Sequence, residues 1–279
     1  MTTTRLGDFF AFYLALLALC VTLDTLTHML LQINNSMRLL EQSEKIFHEA
    51  TPSPHKVHNL NLGKETIRLE KVSFQYQECS TSLFQDLSLK IAPREKVAIV
   101  GPPSCGKTTL IRLLLGLEHP DSGTVFFGDH SLENLDLKTI RQSIGTVFDT
   151  EGIFAGTIYE NITIGKVLPM EQIEKASELA GFQKDLETYP MGISTLLPER
   201  GTSISSGERQ RLLLARALAS NPSLLLLDQA FCLLDFQSRE HILINLQKLP
   251  ITQIFTTQDP EPFKNIVDRV IYLDNVVTS

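Results

Sequence analysis

KVAIVGPPSCGKTTLIRLLLGL, residues 96–117, sets an apolar run directly before a loop in which Gly101 and Gly106 are followed by Lys107 and Thr108. The pattern is a phosphate loop, and it stands where its mechanism requires, between a strand-like run and an amphipathic helix. Backbone amides of the loop and of the helix start would point at phosphate oxygens, and Lys107 would bring positive charge to the outer phosphates. The Thr108 hydroxyl would serve Mg²⁺. The candidate binding residues are therefore Gly101, Pro102, Pro103, Ser104, Cys105, Gly106, Lys107, Thr108 and Thr109. Cys105 reads as a small residue that fits the loop, not as a redox switch.

A second stretch completes the first. NPSLLLLD, residues 221–228, is a turn followed by an unbroken apolar run, as expected of a central parallel strand covered on both faces. Asp228 at its carboxyl end would reach Mg²⁺ and pair with Thr108. The next residue is Gln229, where a nucleotide hydrolase would be expected to keep a glutamate that accepts a proton from the attacking water. An amide has no such basicity, and a general base contributes roughly 10²- to 10⁴-fold. Binding of ATP without efficient turnover is the expectation.

The amino terminus has a different composition. Residues 9–23, FFAFYLALLALCVTL, carry no charge. Extended through Asp24 and His28 to Ile33, the segment covers roughly 25 residues, about 37 Å of helix, which is long enough to cross a bilayer. A targeting segment and a soluble packing helix stay open beside a membrane-type helix, because the strictly apolar part is short and Asp24 is costly at a membrane centre. Asp8 spoils a basic leader, and no small-residue cleavage pattern follows. Apolar residues at Ile33, Met37, Leu40 and Phe47 continue near helical spacing until Pro52 and Pro54 mark a linker. The predicted division is a membrane-type helix over 1–50, a linker over 51–62 and a main domain over 63–279.

With 279 residues, of which 43% are hydrophobic, the chain has ample material for one core and an appendage. Its net charge of −7, with no long run of one sign, offers no footprint for nucleic acid. Four scattered cysteines, with no paired spacing, point to a reducing compartment and away from a zinc site.

Between the loop and the carboxylate strand lies GTSISSGERQRLLLARAL, residues 201–218, and with it the chain resembles the nucleotide-binding domain of ATP-binding cassette (ABC) transporters. ISSGE, Ile204 to Glu208, is similar to the family's signature LSGGQ. The resemblance runs over about residues 63–275. It implies an α/β fold of the P-loop NTPase, RecA-like kind: a parallel sheet with an antiparallel β subdomain, a helical signature subdomain over about 150–220, and a long amino-terminal helix. Tyr76 in VSFQY resembles the aromatic residue that stacks on adenine, and Asp235 closes a segment similar to the D-loop. PERG, residues 198–201, resembles the X-loop of exporter-type members, and residues 6–47 resemble the last transmembrane helix of an exporter.

The resemblance also exposes departures. The Q-loop glutamine falls on Asp149, the switch histidine on Thr257 and the catalytic glutamate on Gln229. One loop glycine is Ser104 and one signature glycine is Ser206. The first three positions handle the γ-phosphate, its metal or its water, whereas Lys107, Thr108, Asp228 and Tyr76, which hold nucleotide, remain. In the family two cassettes pack head to tail, so Ser205, Ser206, Gly207 and Glu208 would face the partner's ATP.

The resemblance therefore implies an ATP- and Mg²⁺-binding, hydrolysis-impaired cassette of an exporter. It would pair with a competent second cassette, as a heterodimer, and with transmembrane helices at the cytoplasmic side of the cell membrane. Two other readings stay open: an active ABC ATPase in which Glu151 or Gln229 supports hydrolysis, and a non-transport ABC protein that regulates by nucleotide-dependent dimerisation.

Overall fold

Residues 9, 11–23, 29, 60–76, 81–149, 151–199 and 203–273 are described by the computed structural model. The chain divides into two compact units, Met1–His55 and Lys56–Ser279. In the first, residues 11–23 form helix α1, all of whose side chains are exposed. Among the described residues no helix is long and apolar enough to cross a membrane. At 1.5 Å per residue α1 spans only about 20 Å. The expected spanning helix is thus not supported. The rest of its predicted length and most of the linker, with Pro52 and Pro54, lie outside the described residues.

In the second unit, β1 (Ile67–Phe74) and β2 (Phe84–Ile91) lead to β3 (Lys96–Val100) and helix α2 (Lys107–Leu114). Next come β4 (Ser122–Phe127), β5 (His130–Ser131), α3 (Leu137–Gln142) and β6 (Ile144–Val147). A mainly helical stretch follows: β7 (Gly156–Thr157), α4 (Ile158–Thr163), α5 (Met170–Leu179), α6 (Gln183–Thr188), β8 (Leu196–Leu197) and α7 (Ser206–Ala219). The chain returns through β9 (Leu224–Asp228), α8 (Phe236–Gln247), β10 (Thr252–Thr257) and β11 (Arg269–Tyr272).

Five strands form a parallel sheet in the order β11-β3-β10-β9-β6, and four form an antiparallel sheet in the order β2-β1-β4-β5. Together with the helical stretch, these are the three parts that the resemblance implied.

All five residues of β9 are buried, and its leucines divide between two cores. Leu225 and Leu227 join Leu212, Leu213, Leu214 and Ile242 on the helical side. Leu224 and Leu226 join Leu110, Ile111 and Leu114 of α2 and Phe127 of the antiparallel sheet. An unbroken apolar run is what a strand covered on both faces requires. β3 alternates in the same way, with Ala98 and Val100 in one core and Val97 and Ile99 in the other. Each buried leucine contributes about 1.5–3 kcal/mol by leaving water, so both strands are held firmly where they end. Their carboxyl ends carry the site.

Candidate functional site

β3 delivers the chain to Gly101, whose N–H donates to the Thr257 carbonyl at 3.3 Å. The turn admits no larger residue: a Cβ on Gly101 would lie 2.5 Å from Cys105 Sγ and 2.6 Å from the Leu273 carbonyl. Gly106, the N-cap of α2, has φ of 98°, and a Cβ there would meet the Phe84 ring at 2.6 Å. Both glycines are thus demanded by geometry. Cys105 is buried against the loop, as a small filling residue would be. Ser104 takes φ of 63°, a left-handed conformation that a serine adopts at a cost.

Lys107 is only 4% exposed, so its charge needs partners. Its Nζ donates to the carbonyls of Gly101 at 2.8 Å and Pro102 at 2.6 Å, folding the loop around the ammonium group. α2 has no side-chain cap, which leaves the amides of its first turn to other acceptors. A phosphate would suit them.

Beside the loop, Asp228 is 2% exposed, and both its carboxylate oxygens accept hydroxyl protons. Oδ2 accepts from Thr108 at 2.6 Å and Oδ1 from Thr256 at 2.5 Å. Strand and helix are joined through this carboxylate. Its pairing with a hydroxyl gives the hard oxygen donors that Mg²⁺ takes, the remainder coming from phosphates and water. Among the described residues no group of three or more His, Cys, Asp or Glu side chains could hold a metal ion. The donor set therefore fits a metal shared with a bound phosphate, not one caged by protein.

Strand order places the three altered positions at neighbouring strand ends. Thr256 pairs with Asp228, so Thr257 and Gln229 follow on adjacent strands, and Thr257 pairs with Val100 beside the loop. Val147 pairs with Leu227 at the end of β6, and Asp149 lies two residues beyond it in a turn. Asp149, Gln229 and Thr257 thus form a row of positions at the carboxyl ends of three neighbouring strands, β6, β9 and β10.

The row is loosely held. Gln229 has φ of 51°, and its N–H donates to the carbonyl and Oγ1 of Thr256 at 3.2 and 3.1 Å. Its side-chain oxygen accepts from Gln258 at 3.4 Å, and its carbonyl accepts from the Cys232 thiol. Thr257 Oγ1 donates to the Asp259 carbonyl and accepts the Asp259 N–H, a local turn bond. Asp149 is exposed, and no described residue makes a side-chain hydrogen bond or ion pair with it. A cavity of about 260 Å³ opens beside Gln229, Cys232, Thr257 and Gln258, with Phe231 and Phe263 among its lining.

Glu151 has a different place. Its Oε1 lies 3.0 Å from Nη1 of Arg216, a residue 5% exposed, and its Oε2 accepts the Phe148 N–H at 3.3 Å. Burial pushes the Arg216 guanidinium down and Glu151 acts against that shift. This carboxylate is occupied in holding α7, which leaves it poorly suited to take a proton from water.

Tyr76 stands edge-on to Phe74, with ring centroids 4.9 Å apart, and its hydroxyl shares a hydrogen bond with Thr109 at 3.0 Å. Arg112 reaches the same hydroxyl at 3.5 Å, so the ring is anchored to α2. Farther along the chain, Ser205 and Glu208 close a capping box at the start of α7. Glu208 also accepts from Tyr189 at 3.1 Å. Burial raises the Glu208 carboxyl, but hydrogen bonds from Ser205 and Tyr189 outweigh it and bring the group below its ordinary value. Burial, and then the Glu208 charge, push the Tyr189 phenol up to about 12. The Glu208 side chain is thereby engaged within its own chain. Ser206 is exposed. Of PERG, Arg200 and Gly201 lie outside the described residues.

The ABC transporter family model matches residues 84–232, a span that holds the loop, the signature and Asp228. The chain belongs to the ABC transporter family. What it carries is an exporter-type cassette. It is 31% identical over 212 residues to the colicin V secretion/processing ATP-binding protein CvaB of Escherichia coli, covering 76% of this chain and 30% of the relative. With an ATP-dependent lipid A-core flippase of Dechloromonas aromatica it shares 30% over 248 residues, or 88% of this chain and 42% of the relative. A bacterial Atm1-family ABC exporter with ATP bound superposes with a TM-score of 0.75 at 26% identity, over 87% of this chain and 43% of that one. The ABC relatives are thus longer: the chain spans from 25% to 42% of their length.

Reading the ABC motifs in sequence did not find Thr256, Gln258, Phe84 or Tyr189. Only Thr256 left a trace, as a hydroxyl residue one place before the switch position.

Proposed function

We infer that this chain is the ATP-binding, hydrolysis-impaired cassette of an exporter, working beside a competent cassette at the cytoplasmic face of the cell membrane. The observation that carries this reading is the contrast along one sheet edge. Lys107 and Asp228 are buried and Thr108, half-buried, donates to Asp228, while the row Asp149–Gln229–Thr257 holds neither a glutamate beside Asp228 nor a histidine. Loop amides and Lys107 would bind the phosphates, and Tyr76 would carry the base. Mg²⁺, held by Thr108 and Asp228 with the phosphates, would offset their charge. Residues 63–279 form the cassette in this reading, with 150–220 as its helical subdomain.

Each nucleotide of a head-to-tail pair lies between one loop and the other chain's signature. Losses at Gln229 and Thr257 therefore impair this chain's own site, while Ser205, Ser206 and Gly207 serve the partner's. The all-round apolar exposure of α1 suits contact with lipid or with a partner's helices. Against an active ATPase stands the pairing of Glu151 with Arg216.

The test is phosphate release by the purified chain with saturating MgATP, beside calorimetry of MgATP binding. Measurable binding with release far below 1 s⁻¹ is expected. Turnover of about 1–10³ s⁻¹, the ordinary enzymatic range, would overturn the reading.

A further inference from the structure

The helical stretch holds a cavity that the nucleotide site does not use. Met170, Ile173, Glu174 and Ser177 of α5 line one side, spaced as residues of one helix face. Gln183, Leu186 and Glu187 of α6 line another at the same spacing, and Gly192 and Ile193 of the following turn close the end. The space between them is about 230 Å³. Sites for drug-sized ligands run to roughly 300–1,000 Å³, so only a small molecule or a single side chain fits here. The walls are fixed in advance: the Phe182 N–H donates to the Ser177 carbonyl at 2.8 Å, and Asp185, which is not part of the lining, accepts from Arg211 of α7 at 2.6 and 2.8 Å.

Two polar atoms of this lining are buried without a partner among the described residues. Ser177 is fully buried and its Oγ makes no hydrogen bond, and Oε1 of Gln183 is in the same position. A buried polar atom left unbonded carries a desolvation cost that a partner removes. An amide oxygen only accepts and a hydroxyl oxygen can, so one donor serves both. One helical turn from each stands an exposed carboxylate, Glu174 on α5 and Glu187 on α6, and no described residue forms an ion pair with either. The lysines of these helices, Lys175 and Lys184, are not part of the lining. Ile173, Leu186 and Ile193 pack on the helical-side core and give the cavity an apolar wall. Donor, positive charge and short apolar body are what these groups ask of a ligand together.

We propose that the cavity between α5 and α6 binds a small aliphatic ammonium ion. Its N–H groups donate to Ser177 Oγ and Gln183 Oε1, Glu174 and Glu187 offset its charge, and its chain lies along Ile173, Leu186 and Ile193. Charge-assisted hydrogen bonds are the stronger kind, which favours an ammonium group over a neutral donor. The site stands apart from the phosphate loop, and the inference holds whether or not the chain cleaves ATP.

The experiment is equilibrium dialysis of the full chain against radiolabelled butylammonium, with butanol as the neutral probe of the same chain length. Saturable binding of butylammonium that butanol does not displace is expected. Replacing both carboxylates, Glu174→Gln with Glu187→Gln, should weaken it about tenfold. Ser177→Ala should weaken it about three- to tenfold, and because it removes an unbonded hydroxyl the melting temperature should not fall. Lysine blocked at both ends presents the same butylammonium group on a polypeptide unit. Tighter binding of the free amine names a small molecule as the source and tighter binding of the blocked lysine names a protein side chain, and either result supports the site. Absence of saturable binding by both probes overturns the inference, as does binding that butanol matches or that the double variant, with its melting temperature intact, retains in full.

Discussion

Lys107 and Asp228 are 4% and 2% exposed, and each is held by two hydrogen bonds of 2.8 Å or less. On the same sheet edge, Gln229 and Thr257 are half-buried and Asp149 is exposed, and their side chains hold partners at 3.0 Å or longer, or none. The groups proposed to grip nucleotide are therefore also structural members, and each hydrogen bond lost with one of them costs about 0.5–1.5 kcal/mol, more at buried Thr256. The positions proposed to have lost cleavage chemistry are accessory to the fold. Chemistry can be lost from the row with little loss of stability, whereas loss from the loop damages binding and folding together.

The largest effect that can break this contrast is catalytic. Gln229→Glu is expected to raise phosphate release by about 10²- to 10⁴-fold with the melting temperature unchanged. A rate that does not move would show that position 229 is not what limits cleavage.

On the loop side, Gly106→Ala forces a Cβ into the Phe84 ring from a left-handed backbone. Strain and overpacking together should cost about 2–4 kcal/mol in urea unfolding. Lys107→Ala should abolish the heat of MgATP binding and cost about 0.5–1.5 kcal/mol of stability for each hydrogen bond lost to the loop carbonyls. Binding that survives this change would sever the link between grip and structure.

Smaller effects sharpen the comparison. Ser104→Gly relieves a left-handed serine and should raise stability by about 0.5–1 kcal/mol, read as a higher urea midpoint. At the signature end, Glu208 has a folded value below its ordinary 4.5, so the stabilisation from its capping box is present above that value and lost as pH falls through the folded one. Solvent screening keeps it to a few tenths of a kcal/mol. Stability profiles of wild type and Glu208→Gln should differ near neutral pH and converge in acid.

The parts legible in the sequence were those that a short window contains. The phosphate loop is specified by residues within eight positions of Gly101, the strand by an uninterrupted run of leucine, and the signature by the five residues from Ile204 to Glu208. The row was not legible. Asp149, Gln229 and Thr257 are far apart in the chain, and only the order of the parallel strands makes their ends neighbours. Nor does any local pattern pair Glu151 with Arg216 or Tyr189 with Glu208, since these meetings depend on how α7 settles against its neighbours. Individual strand ends can be read from patterns, but the line they form comes from the sheet.

The leucines of β9 are the party wall of the molecule. Leu225 and Leu227 lean on the helices, and Leu224 and Leu226 on the phosphate side. Interiors packed this densely transmit displacement instead of absorbing it. A displacement of the helical face, such as the proposed pairing with another cassette would cause, would reach Asp228 as a shift of its own strand. Trimming Leu225, which lies in the helical-side core, should weaken the proposed grip on magnesium from the far side of the sheet.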